Sequence, residues 1–77
     1  MPKIVLVNIY SHFYKSSEGE DDEDIPVDER RGWPISRVYN DEGEHFKVTN
    51  ERNGMYHIAG KYGNLGWVYP SAIIEWL

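Results

Sequence analysis

Between Glu44 and Ile74 apolar and polar positions alternate in short runs separated by turn residues, the period of two that half-buried strands require. His45-Phe46-Lys47-Val48-Thr49 is one such run. Asn53-Gly54 follows, the pair best suited to the positive φ angles of a tight type I′ hairpin turn. Met55-Tyr56-His57-Ile58-Ala59 alternates again and puts Tyr56 and Ile58 on one face, expected to be the buried one. Gly60, Gly63, Asn64 and Gly66 then predict a glycine-dependent turn before Trp67-Val68-Tyr69. Proline has no N–H to give a ladder, so Pro70-Ser71-Ala72 predicts a short 3₁₀ turn ahead of a closing strand at Ile73-Ile74.

Nearer the start, Ile4-Val5-Leu6-Val7 is β-branched and continuously apolar, which predicts a first strand buried on much of both faces and continued by Ile9-Tyr10. Ser11 to Lys15 extends it into a long excursion. Ile35-Ser36-Arg37-Val38-Tyr39 alternates and reads as a further strand, with Ile35 and Arg37 on one face and Val38 opposite; Asn40-Asp41-Glu42-Gly43 reads as a turn. No helix longer than a turn has the apolar period and caps it needs. The expected fold class is therefore all-β, a small barrel of about five antiparallel strands. Phe46, Val48, Ile58, Val68 and Ile73 are its expected core, with Tyr56 and Trp67 suited to core or contact roles.

A chain of 77 residues supports one small domain, here residues 1–77, with a modest core. It contains no cysteine, so no disulfide and no thiolate chemistry assist it. Tyrosine and tryptophan are abundant and supply large buried areas with polar tips. Charge is distributed unevenly. Glu18 to Glu29 holds eight acidic residues and no basic one, and without them the formal net charge would change from −5 to +3. Self-repulsion and Pro26 predict a solvated, partly disordered loop over about residues 16–32. Such a run also suits an electrostatic docking arm for a basic partner. Arg30 and Arg31 follow it and can screen it. Trp33 is expected to be a core anchor that pins the loop's return, the alternative being a surface aromatic used in binding.

The pattern F-x-V-x-x-E-x-N-G-M-Y-x-I from Phe46 to Ile58, the glycines after it, Gly66-Trp67-Val68 and the closing Ile73 together resemble an SH3-like barrel, closest to bacterial-type SH3 domains. The resemblance implies that the acidic run occupies the RT loop, where that family uses carboxylates to receive arginine or lysine. Tyr10 matches the first tyrosine of the family's ALYDY-like strand. Met55 stands where the family has the first tryptophan of a Trp-Trp pair, and Tyr69 and Ala72 replace a proline and a tyrosine of the closing segment. Polyproline recognition depends on that aromatic groove, so the resemblance implies recognition of some other protein or peptide surface. Bacterial SH3 modules often recognise peptidoglycan, which makes cell-wall targeting a further implied role.

Candidate chemistry is sparse. His12, His45 and His57 are isolated and form no metal-ligand or catalytic pattern, Ser11 beside His12 has no triad motif around it, and the glycines precede no helix. The chain reads as non-catalytic, with no cofactor. Asp21, Asp22, Glu23, Asp24 and Asp28 lack the ligand alternation of a calcium loop, so no specific metal site is assigned. The acidic excess disfavours direct binding of nucleic acid, although Lys47, Arg52 and Lys61 form a possible basic side. No apolar stretch is long enough to be a signal peptide or a span, so no membrane role and a cytoplasmic location are expected. The sequence thus predicts a protein-binding module for a protein or peptide with a basic surface. Its expected contacts are Tyr10, Tyr14, Glu20, Asp21, Asp22, Glu23, Asp24, Trp33, Met55 and Tyr69. The alternative is a small phage-type inhibitor that blocks a basic nucleic-acid site of a host or defence enzyme; a structural subunit is a third. The oligomeric state is left open.

Overall fold

The computed structural model describes residues 3–38, 45–60 and 63–77. Its strands are β1 (Lys3–Val7), β2 (His12–Tyr14), β3 (Arg31–Pro34), β4 (His45–Arg52), β5 (Met55–Gly60), β6 (Gly63–Val68) and β7 (Ile73–Trp76). Two helical turns, α1 (Val27–Arg30) and α2 (Ile35–Val38), and two 3₁₀ turns, Gly19–Asp21 and Pro70–Ala72, join them. All described strand pairs are antiparallel, in the order β3-β2-β6-β5-β4-β1-β7. An all-β architecture is the result. The expected count of about five strands rises to seven because the excursion after β1 pairs with itself as β2–β3 and then with β6 through Tyr14 and Trp67.

The sheet curls into a half-barrel. β5 and β7 are separated by β4 and β1, yet the rings of Tyr56 and Trp76 meet edge to face with centroids 5.0 Å apart. Bulges in the β1–β7, β4–β5 and β5–β6 ladders supply the local bending that such closure needs. Val5, Val7, Ile35, Phe46, Ile58, Val68 and Ala72 form the buried core, with Val48, Tyr56 and Ile73 packed against it. Tyr56 and Ile58 therefore both turn inward, as their spacing predicts.

The hairpin at Asn53-Gly54 has φ angles of 53° and 76°, and Arg52 pairs with Met55 across it. The second hairpin also forms, but Gly63, Asn64 and Gly66 lie within β6 instead of making the turn. Pro70–Ala72 is the expected 3₁₀ turn, with Pro70 in its first position where a missing N–H costs least.

Residues 35–38 depart from expectation. They form a helical turn and not a strand, because the Ile35 N–H is taken by the Ser11 carbonyl at 2.9 Å and the Ser36 N–H by Ile9 at 2.6 Å. Ile35 is buried while Arg37 points out, so the two do not share a face. The turn expected at residues 40–43 lies outside the described residues, as do Tyr39 and Lys61. Among the described residues no helix is long and apolar enough to cross a membrane.

A methyl group added at Gly54 would meet nothing within 4 Å, so Gly54→Ala isolates the cost of the positive φ. Urea denaturation should show a loss of about 1 kcal/mol with an unchanged denaturant slope. An unchanged midpoint would show that the turn tolerates an ordinary backbone.

Candidate partner-binding site

The segment between β2 and β3 carries the acidic run, and neutral and cationic groups grip its backbone while most of its carboxylates face water. Arg30, the last residue of α1, donates from Nε to the Ile25 carbonyl at 2.9 Å and from a terminal guanidinium nitrogen to the Glu20 carbonyl at 2.7 Å. Arginine suits this task because its donors are fixed in a planar fork. Asp22, only 8% exposed, accepts the Asp24 N–H at 2.9 Å in an Asx turn. The partly disordered loop expected from charge repulsion is instead a pair of helical turns closed on these contacts. Glu18, Glu20, Asp21, Glu23, Asp24, Asp28 and Glu29 are exposed.

Two tyrosines dock this segment on the barrel. Tyr14, at the end of β2, and Tyr69, after β6, meet edge to face with centroids 5.0 Å apart. The Tyr14 hydroxyl donates to Glu20 Oε1 at 2.9 Å, and the Glu20 N–H donates to the Tyr69 hydroxyl at 3.1 Å. Gly19 lies directly on that hydroxyl with φ +60°, so a side chain there would clash with Tyr69 as well as strain the backbone.

Burial pushes the Tyr14 phenol up to about 12, helped by its hydrogen bond to Glu20 and by that residue's charge. A hydrogen bond from Ser16, then the Asp24 N–H, holds the Asp22 carboxyl below the usual carboxylate range, with Arg30 adding attraction. Asp22 thus favours the folded state at neutral pH, and that contribution fades as pH falls through the carboxylate range.

A shallow cleft of about 340 Å³ opens beside this junction, lined by Ser17, Glu18, Asp21, Asn53, Met55 and Tyr69. The half-buried Tyr69 lies at its base with the buried Met55 beneath, and its acidic residues are Glu18 and Asp21. Among the described residues no lysine, arginine or histidine lines it. The hairpin turn supplies Asn53, whose side-chain amide reaches toward Ser17 Oγ at 3.5 Å.

The expected contact residues separate into groups. Tyr14, Glu20, Met55 and Tyr69 come together at the junction, but Tyr14 and Met55 are buried, so they support the cleft more than they present a surface. Asp22 is turned inward as a structural carboxylate. Asp21 lines the cleft, while Glu23 and Asp24 are exposed on the outer part of the loop. Tyr10 stands apart, 73% exposed in a turn where Asn8 Oδ1 accepts its N–H. Trp33 is not a core anchor: it is 56% exposed on β3, with the Arg37 guanidinium 4.1 Å above its ring. Sequence reasoning missed Gly19, Glu18, Asn53 and the structural role of Arg30. For Arg30 the available signal was its place directly after a run of carboxylates, with Arg31 beside it.

A second polar group lies on the strands, where the Thr49 hydroxyl sits 2.8 Å from His57 Nδ1 and the Trp67 ring packs against the imidazole. Burial lowers the His57 pKa, so its neutral form favours the fold above about pH 6.5, a contribution lost as pH falls. Among the described residues no cluster of histidines and carboxylates is arranged to hold a metal ion. Comparison with known proteins finds no matching family model, no similar curated protein and no similar solved structure.

Tyr14→Phe should cost about 1 kcal/mol through the lost bond to Glu20. It should also change the alkaline limb. The unfolded phenol ionises near 10 and the folded one near 12, so the native chain loses stability as pH rises through that window and the variant does not. Urea titrations at pH 9 and pH 11.5 (about 1 and 1.5 units outside and inside the window) would count against this reading if both proteins lost stability equally.

Proposed function

We propose that this chain is a non-catalytic protein-binding module, an SH3-like barrel whose acidic loop engages a basic surface on a partner protein or peptide. The observation that carries the reading is the cleft beside Tyr69, lined by Glu18 and Asp21 and, among the described residues, by no cationic side chain. A lysine or arginine of the partner lays its stem against Tyr69, which the buried Met55 supports from beneath, and places its charge by the two carboxylates. The exposed acids of the outer loop draw such a partner in before contact. Two features support the SH3-like reading: β6, β5, β4, β1 and β7 lie side by side, and the acidic excursion is inserted between β1 and β4.

One observation also favours the inhibitor reading. A floppy acidic loop makes a poor imitation of a phosphate backbone, but this loop has its backbone held by Arg30 and all its acidic residues but Asp22 exposed. Competition separates the two: an inhibitor displaces nucleic acid from its target, and an adaptor leaves the target's activity unchanged.

Glu20 and Asp22 hold the loop together, so the test neutralises Glu18, Asp21, Glu23 and Asp24, leaving those two intact. Partner capture from host lysate, or affinity for an arginine-rich peptide, should fall about tenfold at low ionic strength and little at high salt. Equal losses at both salt concentrations would remove electrostatic attraction as the basis of binding.

A further inference from the structure

A larger groove, about 630 Å³, lies between α1 and the β2–β3 hairpin. Phe13, Val27, Trp33 and Pro34 give it apolar surface, and two of these are conspicuously open to water, Val27 at 75% and Trp33 at 56% exposure. Its charges are sorted by element. Asp28 and Glu29 belong to α1, whereas His12 lies on β2 with Lys15 just after it, and Arg31 begins β3. β3 is also the last strand of the sheet in this direction, so the groove sits at an edge.

A groove with one acidic and one basic side suits neither a purely basic nor a purely acidic ligand. It does suit itself. In a two-fold symmetric contact each surface patch meets its own copy in reverse, so the acidic side of one molecule faces the basic side of the other, and the pairing occurs twice. The apolar residues then fall near the centre, the arrangement in which aromatic anchors contribute most.

We propose that this groove is a self-association surface, and that its occupant is a second copy of this chain. Val27 and Trp33 of the two molecules pack across the axis, and Asp28 and Glu29 of each pair with Lys15 and Arg31 of the other. Arg37 stays on Trp33 and holds the indole on the surface instead of letting it collapse inward.

Charge exchange tests the geometry directly. One variant carries Asp28→Lys and Glu29→Lys, the other Lys15→Glu and Arg31→Glu. Sedimentation equilibrium near physiological salt should show a concentration-dependent dimer for the native chain. Each variant alone should dissociate at least about tenfold more readily, because like charges then face each other twice. An equimolar mixture should recover the dimer, since both contacts become attractive again, a rescue that general destabilisation does not produce. Trp33→Ala, with folding checked by circular dichroism, should weaken the native dimer by about tenfold or more. A native chain that stays monomeric at millimolar concentration overturns the proposal and leaves the groove to a different protein segment. Variants that dimerise as well as the native chain place the contact elsewhere and overturn it too.

Discussion

The acidic segment keeps its shape because the Arg30 guanidinium bridges the carbonyls of Glu20 and Ile25. A run of carboxylates repels itself, and it compacts only if its backbone is held by groups that its side chains do not have to serve. Arg30 does this from inside the loop, Asp22 closes the turn between those carbonyls, and the two tyrosines fasten the result to the barrel. The cleft beside Tyr69 depends on that fastening. If the loop swung away, Glu18 and Asp21 would leave the floor formed by Met55 and Tyr69.

Beneath it, the barrel stands on few residues. Phe46 and Ile58 on adjacent strands, Val5 and Val7 on β1, Val68 on β6 and Ile35 from α2 meet with almost no exposure. A chain of this size without cross-links has little redundancy, so each of these positions constrains the rest. Trp76 extends the closure at the far end, between the edge of Tyr56 and the ammonium of Lys3, 5.6 Å from its ring.

Much of this was legible from Phe46 onward, where alternation, an Asn-Gly pair and a lone proline each leave a local mark that tertiary context did not override. Residues 35–38 misled because a four-residue turn and a short strand can both show two apolar positions, and long-range bonds from Ser11 and Ile9 made the choice. Trp33 misled for a related reason: an aromatic next to proline suggests an anchor, but Arg37 four residues on offered its ring a partner at the surface. The carboxylates were readable as a group and not one by one. Nothing in the run distinguishes Asp22, which is buried, from Asp21, which lines the cleft. That difference arises from Ser16 and from the path of the chain around Arg30.

The bond from the Glu20 N–H to the Tyr69 hydroxyl joins residues 49 positions apart. A contact of that span carries a loop-closure cost that the ladders between those positions help to meet. The arrangement of the carboxylates at the cleft is consequently tied to the ladders of β4, β5 and β6. The placing of Glu18 and Asp21 beside Tyr69 is thus a property of the finished tertiary structure, and any event that opens the junction of Tyr14 and Tyr69 dissolves it.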